Sequence, residues 1–183
     1  MTNDYLWENI SPREFEVIAV NFAQYQYPIY NWSLTKETSD DNRDFETCNT
    51  EKTIWGEAKH SKNINTGMSK SKWDVTLLSA QLNHSVYRLM YVTCSRIPLS
   101  YIIRSEYAKR NKIQDIYYIN RIILNKWLDQ KPVLVDFDEK NPIQQILLKL
   151  KPCKRKINYS DSALYLFNGI SENRLYLVRS EER

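Results

Sequence analysis

The first helical pattern of the chain begins at Ser11. Ser11 precedes Pro12, and Glu14 lies three residues after Ser11, which is the arrangement of a capping box with proline at the first helical position. Apolar residues then recur at helical spacing and predict a core face made of Phe15, Ile18, Ala19 and Phe22. Glu16 falls at the edge of that face, where a carboxylate is either solvated or directed towards a site.

Three strands are predicted next, because apolar and polar positions alternate or β-branched and aromatic residues cluster. The predicted strands are residues 30–37, 43–48 and 53–55. The turns between them are residues 38–42 and 49–52. The last strand leads into Glu57 and Lys59. Asp44 lies near the start of the strand before it, with twelve residues between Asp44 and Glu57. A hairpin around the intervening turn would bring these two carboxylates together.

Helices and strands alternate through the rest of the chain. The predicted elements are helix 71–83, strand 87–94, a helix from Pro98, strand 116–119, helix 120–128, strand 133–137, a helix capped by Asn141 and Pro142 that runs to Leu150, and a hairpin of residues 163–167 and 174–178. In helix 71–83 the spacing assigns the core face to Val75, Leu78 and Leu82, and Gln81 to solvent rather than to a site. The alternation predicts an α/β/α sandwich around a mixed sheet over residues 1–130, with a small C-terminal extension over residues 131–183.

The amino-acid composition excludes several classes of protein. With 183 residues and 42% hydrophobic residues, the chain can fill the core of one domain. Gly56, Gly67 and Gly169 are its only glycines, too few for a phosphate-binding loop or a dinucleotide fingerprint. This excludes P-loop NTPases and Rossmann dehydrogenases. The formal charge of +4 permits a polyanionic partner without requiring one.

The cysteines and the hydrophobic runs indicate the cellular compartment. Cys48, Cys94 and Cys153 are odd in number and far apart, which argues against a disulfide framework and a zinc site. The N-terminal residues lack the pattern of a secretion signal, and no apolar run approaches twenty residues. We therefore expect a cytoplasmic protein.

Glu57 and Lys59 are the strongest candidates for chemistry. Side chains two apart on a strand project to the same face, so this acid and this lysine would lie side by side. Burying both is costly unless they pair or bind something. The bland alternative, which is more common for an isolated tripeptide, is a surface ion pair. Asp44 of the predicted hairpin and Glu16 of the first helix favour a functional site over a surface ion pair.

The acids and the lysine, taken in order along these elements, resemble the PD-(D/E)xK nuclease superfamily, and most closely its Mrr-like (type IV) restriction endonuclease domains. The residues that carry the resemblance are Glu16, Asp44, Glu57 and Lys59. The similarity spans residues 6–128 and includes the strand-helix pair formed by residues 91–95 and the Pro98 helix. One departure concerns the family's aspartate, which glycines commonly flank. Here residues 40–43 replace those glycines, so Asp40 and Asp41 are alternatives to Asp44.

The resemblance implies a restriction-endonuclease-like fold and a magnesium site, with manganese as a substitute. Hydrolysis of a phosphodiester needs an activated water and a cation near the phosphate, and Mg²⁺ supplies both when one or two carboxylates hold it. Asp44 and Glu57 would be those ligands, joined by the carbonyl of Ala58. Lys59 would orient or deprotonate the water, and Glu16 would position Lys59 or a second metal ion.

DNA is the expected substrate, with affinity from lysines that contact its phosphates at Lys62, Lys70 and Lys72. A surface position is expected for His60 in preference to a phosphate contact. The leading hypothesis is a Mg²⁺-dependent endonuclease domain, the N-terminal effector of a longer restriction or antiphage defence protein. We expect a homodimer or higher assembly to be needed for a double-strand break. The alternatives are a DNA-binding module without catalysis and an oligomerisation scaffold on the same fold.

Overall fold

A mixed five-stranded sheet lies at the centre of the computed structural model, which describes residues 3–36, 43–63, 70–95, 97, 102 and 113–153. The elements in chain order are β1 (Asp4–Tyr5), a 3-10 helix (Trp7–Asn9), α1 (Pro12–Gln26), β2 (Asn31–Leu34), β3 (Phe45–Cys48), β4 (Thr53–Lys59), α2 (Lys70–Leu82), β5 (Val86–Thr93), β6 (Asp115–Ile119), α3 (Arg121–Asp129), α4 (Ile143–Lys149) and β7 (Pro152–Cys153).

The central sheet has the order β2-β3-β4-β5-β6. β2, β3 and β4 pair antiparallel, whereas β4, β5 and β6 pair parallel. Phe45 lies opposite Gly56 in the β3–β4 hairpin, so the next position of that register sets Asp44 opposite Glu57. The hairpin predicted from the strand pattern is therefore confirmed.

Helices cover both faces of this sheet, and each face has its own core. Buried residues of α1, α3 and α4 form one core with Ile54 and Ala58 of β4. On the other face, α2 packs against Trp55 of the same strand. The predicted α/β/α sandwich with a central mixed sheet is confirmed. Because side chains alternate along a strand, Glu57 and Lys59 lie on the Trp55 face.

The buried face of α2 differs from the predicted one. Val75, Leu78 and Leu82 are 48%, 55% and 70% exposed, so their assignment to the core is wrong. The face that packs on the sheet instead carries Trp73, Thr76, Leu77 and Ala80. The helix has two apolar stripes at helical spacing, and the one with the large indole of Trp73 buries more apolar area. Trp73 packs against Tyr91 of β5, with 4.8 Å between ring centroids.

Residues 131–153 pack against α1 and the main core. The strand predicted over residues 133–137 is wrong: these residues form no strand, and Val135 exchanges two hydrogen bonds with the Asn21 side chain. The predicted cap is confirmed at Pro142, which is the N-cap residue of α4, but the first helical N–H, that of Ile143, donates to the Asp136 carboxylate at 2.7 Å. Three apolar residues of this region enter the main core, namely Ile143, Ile146 and Leu150.

Two further strands tie the chain ends of the described part together. β1 pairs antiparallel with β7, so Asp4 lies opposite Cys153. The predicted hairpin at residues 163–178 and most of the helix predicted from Pro98 lie outside the described residues. Within the described part, no helix has both the length and the hydrophobicity needed to cross a membrane.

Candidate active site

The N-terminal part of α1 positions Glu16. Ser11 caps the helix, since its hydroxyl accepts the Glu14 N–H at 3.2 Å, and the Glu14 carboxylate accepts the Ser11 N–H at 2.7 Å. The predicted capping box is therefore present. Glu16 follows at the start of the second turn and is half-buried at the edge of the core face, as predicted.

Asp44 is fixed by the backbone of the neighbouring strands. Its N–H donates to the Gly56 carbonyl at 2.8 Å, and its carbonyl accepts the Thr35 N–H at 2.9 Å. Its carboxylate accepts the Ala58 N–H at 2.7 Å through Oδ2. These bonds hold the carboxylate against the end of β4, next to Glu57.

Gly56 allows this close approach of the two strands. A Cβ atom at this position would lie 2.0 Å from the Phe45 ring, far inside van der Waals contact. Phe45 is completely buried in the main core and directly follows Asp44. The glycine therefore lets the aromatic ring pack across β4 while Asp44 keeps its backbone bond to Gly56.

Glu57 and Lys59 project from β4 on the α2 face, and both are half-buried. The Lys59 carbonyl points towards β5, where it accepts the Thr93 hydroxyl at 2.9 Å. Neighbouring residues of a strand direct their backbone groups to opposite sides. The Ala58 carbonyl therefore points to the β3 side, the side on which its N–H meets Asp44.

The two carboxylates lack full compensation of their charge. Burial raises the pKa of Asp44, although the Ala58 N–H and the positive charges of Lys59 and Arg13 lower it in part. Burial, followed by the charge of Asp44, raises the pKa of Glu57 to about 8. Among the described residues, no ion pair within 4.0 Å involves either carboxylate. A proton or an external cation is needed to neutralise this pair.

Arg13 is a residue of the site that the sequence reasoning missed. Its Nη1 donates to Glu16 Oε2 at 2.6 Å and to the Thr35 carbonyl at 3.1 Å, and its Nε donates to Asp138 Oδ2 at 3.0 Å. The spacing of Arg13 and Glu16, three residues apart on a helix, is a local signal for that pair. No local signal points to Asp138, which lies 125 residues further along the chain.

The other predicted residues occupy varied positions. Lys62 and Lys72 are exposed, and the positive charge of Lys72 lowers the pKa of Glu57, so Lys72 lies within electrostatic reach of the site. Lys70 begins α2. Gln81 is half-buried, and at the rise of a helix it lies roughly 13 Å along the axis from Lys72. Asp40 and Asp41 lie outside the described residues.

His60 is less exposed than the predicted surface position, because its ring contacts the protein. It is half-buried, and its Nε2 donates to the Trp7 carbonyl at 2.8 Å. Its ring packs against Phe15 at 5.9 Å between centroids. The histidine thus joins the end of β4 to the residues that precede α1.

A divalent ion is compatible with this donor set, although the set is small. The described residues contain no group of three or more His, Cys, Asp or Glu side chains arranged to hold a metal ion. Mg²⁺ keeps several waters and commonly takes only one or two carboxylates from a protein. Asp44, Glu57 and the Ala58 carbonyl fit that requirement.

Comparisons with known proteins give one structural similarity. No family model matches the sequence, and no curated protein matches it. Among solved structures, the chain is similar to the MspJI restriction endonuclease in complex with a 27-mer oligonucleotide, with a TM-score of 0.43 and 17% sequence identity. The similarity covers 62% of this chain and 26% of that chain.

Proposed function

We propose that this chain is a Mg²⁺-dependent DNA endonuclease domain of the PD-(D/E)xK type, with its site at the ends of β3 and β4. The observation that carries the proposal is the convergence of Asp44 and Glu57, two half-buried carboxylates with raised pKa values, beside Lys59. Purely structural charges would be paired within the protein. An acid pair left without its counter-ion favours a site for a cation.

The arrangement supports hydrolysis of a phosphodiester. Asp44, Glu57 and the Ala58 carbonyl would hold the Mg²⁺ ion, which supplies charge neutralisation at the phosphate and a more acidic water. Lys59 lies on the same face as Glu57 and would orient the water and stabilise the negative charge that develops on the phosphate oxygens. The water oxygen would lose a proton to solvent and form a bond to phosphorus, while the bond from phosphorus to the leaving oxygen breaks and that oxygen takes up a proton from solvent.

Single substitutions in the site should abolish cleavage of plasmid DNA. Asp44→Asn, Glu57→Gln and Lys59→Met each remove a metal ligand or the charge that stabilises the transition state. We expect each to reduce the rate by about a hundredfold or more. Supercoiled plasmid incubated with Mg²⁺, with Ca²⁺ and with a chelator measures the rate and its metal dependence.

The matched control is Glu51→Gln, which removes an exposed acid from the turn before β4. This variant should cut like the wild-type protein. Cleavage by Glu57→Gln at the wild-type rate would contradict the nuclease assignment. Salt-sensitive DNA binding without any cleavage would favour the alternative of a DNA-binding module without catalysis.

We also predict the oligomeric state and the biological role of the chain. One such site cuts one strand, so a double-strand break would require two copies of the site. We expect the isolated chain to nick slowly and a fused coiled-coil dimer to cut faster. The sequence resemblance supports a role in restriction or antiphage defence.

A further inference from the structure

Arg13 is held from three directions at the edge of the proposed site. Its guanidinium bonds to Glu16 at 2.6 Å, to Asp138 at 3.0 Å and to the Thr35 carbonyl at 3.1 Å. The side chains of Arg13 and Glu16 are each 19% exposed, and that of Asp138 is 13% exposed. At this degree of burial the ion pairs are screened less by solvent than pairs at a fully exposed surface.

Thr35 links this arginine to the backbone of Asp44. The Thr35 N–H and hydroxyl both donate to the Asp44 carbonyl, at 2.9 and 3.0 Å. Arg13 in turn donates to the carbonyl of Thr35. The position of the guanidinium is therefore set by the same residues that hold the Asp44 strand in place.

The three site carboxylates differ in how their charge is balanced. Glu16 has a guanidinium in direct contact, and a guanidinium remains charged at every pH that a folded protein tolerates. For Asp44 and Glu57, no cationic side chain among the described residues lies within 4.0 Å. A metal ion bound to Glu16 would have to displace the guanidinium that contacts this carboxylate, whereas no guanidinium in the described part of the chain contacts Asp44 or Glu57.

We propose that Arg13 takes the place of a second metal ion at Glu16, so that the site binds one divalent ion, at Asp44 and Glu57. This inference rests on the proposed function. It makes Arg13 and Glu16 positioning residues rather than metal ligands. Asp138 contributes by orienting the guanidinium through Nε, which leaves Nη1 directed at Glu16.

The number of bound ions can be measured directly with Mn²⁺, by the loss of the electron paramagnetic resonance signal of the free ion on titration with protein. We expect one Mn²⁺ per chain for the wild-type protein and for Glu16→Gln. Arg13→Gln frees the carboxylates of Glu16 and Asp138, and we expect this variant to bind a second ion. The double variant Arg13→Gln/Glu16→Gln should return to one ion.

Arg13→Lys is the conservative control, because it retains a positive charge beside Glu16, and it should bind one ion. Circular dichroism checks that each variant is folded. Two ions in the wild-type protein, with one lost in Glu16→Gln, would overturn the inference and leave the proposed function standing. That comparison does not depend on any variant of Arg13. One ion in a folded Arg13→Gln would also overturn it, whereas no ion in the wild-type protein would overturn the proposed function and this inference together.

Discussion

Asp4 and Arg121 form a buried pair of opposite charges, whereas Asp44 and Glu57 form a half-buried pair of like charges. Arg121 donates to both carboxylate oxygens of Asp4, at 2.8 and 2.7 Å, and Asn125 donates to the same carboxylate at 2.8 Å. Asp44 receives one backbone N–H at 2.7 Å. The first cluster is balanced within the protein, and the second needs a proton or a cation from solution.

This difference separates charges that hold the fold from charges that, in our proposal, bind a metal ion. The Asp4 cluster joins β1 to α3, and Trp7 extends it by donating to Asn125 at 2.8 Å. Breaking a balanced buried pair leaves one charge without its partner and destabilises the protein. Neutralising one member of a like-charged pair removes repulsion, so the same kind of substitution has the opposite effect on stability.

The largest expected effect is on the balanced pair. Arg121→Met removes the partner of Asp4, whose side chain is 2% exposed, and should lower the free energy of unfolding by about 3–5 kcal/mol. Arg88→Met is the matched control, because Arg88 pairs with Asp115 at a more exposed position, and should cost no more than about 1 kcal/mol. Urea unfolding measures both. Similar losses for the two variants would contradict the claim that burial makes the Asp4–Arg121 pair costly to break.

The pH dependence of stability should come next in size. The pKa of Glu57 is raised from 4.5 to about 8 in the folded protein. The folded state therefore holds a proton that the unfolded state has lost, and the stability linked to that proton is lost as the pH rises from 4.5 through 8. Each pKa unit corresponds to about 1.4 kcal/mol, so we expect a fall of a few kcal/mol at most.

Urea unfolding of the metal-free protein between pH 5 and pH 9 measures this fall. Glu57→Gln carries no titrating group at this position and should show a flatter profile. It should also be more stable than the wild-type protein at pH 9. A wild-type profile that rises with pH over this range would contradict the assignment of a protonated Glu57.

The smallest effects concern exposed lysines near the site. Arg121 is buried in an ion pair with Asp4 and cannot reach DNA. Lys62 and Lys72 are exposed and can contact phosphates. Lys62→Ala and Lys72→Ala should each weaken DNA binding in Ca²⁺ and reduce the slope of log affinity against log salt by about 1. Lys52→Ala, in the turn at the other end of β4, should leave the slope unchanged. An equal change for Lys52→Ala would indicate that DNA does not lie along the site end of the strand.

Local pattern was sufficient to predict the hairpin that carries the site. Alternation along residues 43–48 and the β-branched and aromatic residues 53–55 predicted β3 and β4, and the turn between them predicted which residues meet. The capping box of Ser11 and Glu14 fixed the start of α1. Each of these signals acts between residues close in the chain, so a single sequence contains it.

The sequence pattern predicted neither the long-range contacts nor which of two apolar stripes of α2 is buried. The Asp138 carboxylate reaches Arg13 only because residues 131–153 fold back on α1, which no local spacing reveals. In α2, two apolar stripes satisfy the same helical period, and only packing against Tyr91 decides for the stripe of Trp73. Val135 lies in an apolar segment that was predicted as a strand, but its backbone bonds to the side chain of Asn21 instead of to a neighbouring strand.

The most direct test of the central claim is the effect of Mg²⁺ on thermal unfolding at pH 8 of the wild-type protein and of Glu57→Gln. A ligand that binds only the folded state at a hundred times its Kd stabilises that state by about 2.7 kcal/mol. We predict a Tm that rises with Mg²⁺ for the wild-type protein and stays constant for Glu57→Gln. An equal rise in both proteins, or no rise in the wild-type protein, would contradict the claim that Asp44 and Glu57 await a cation.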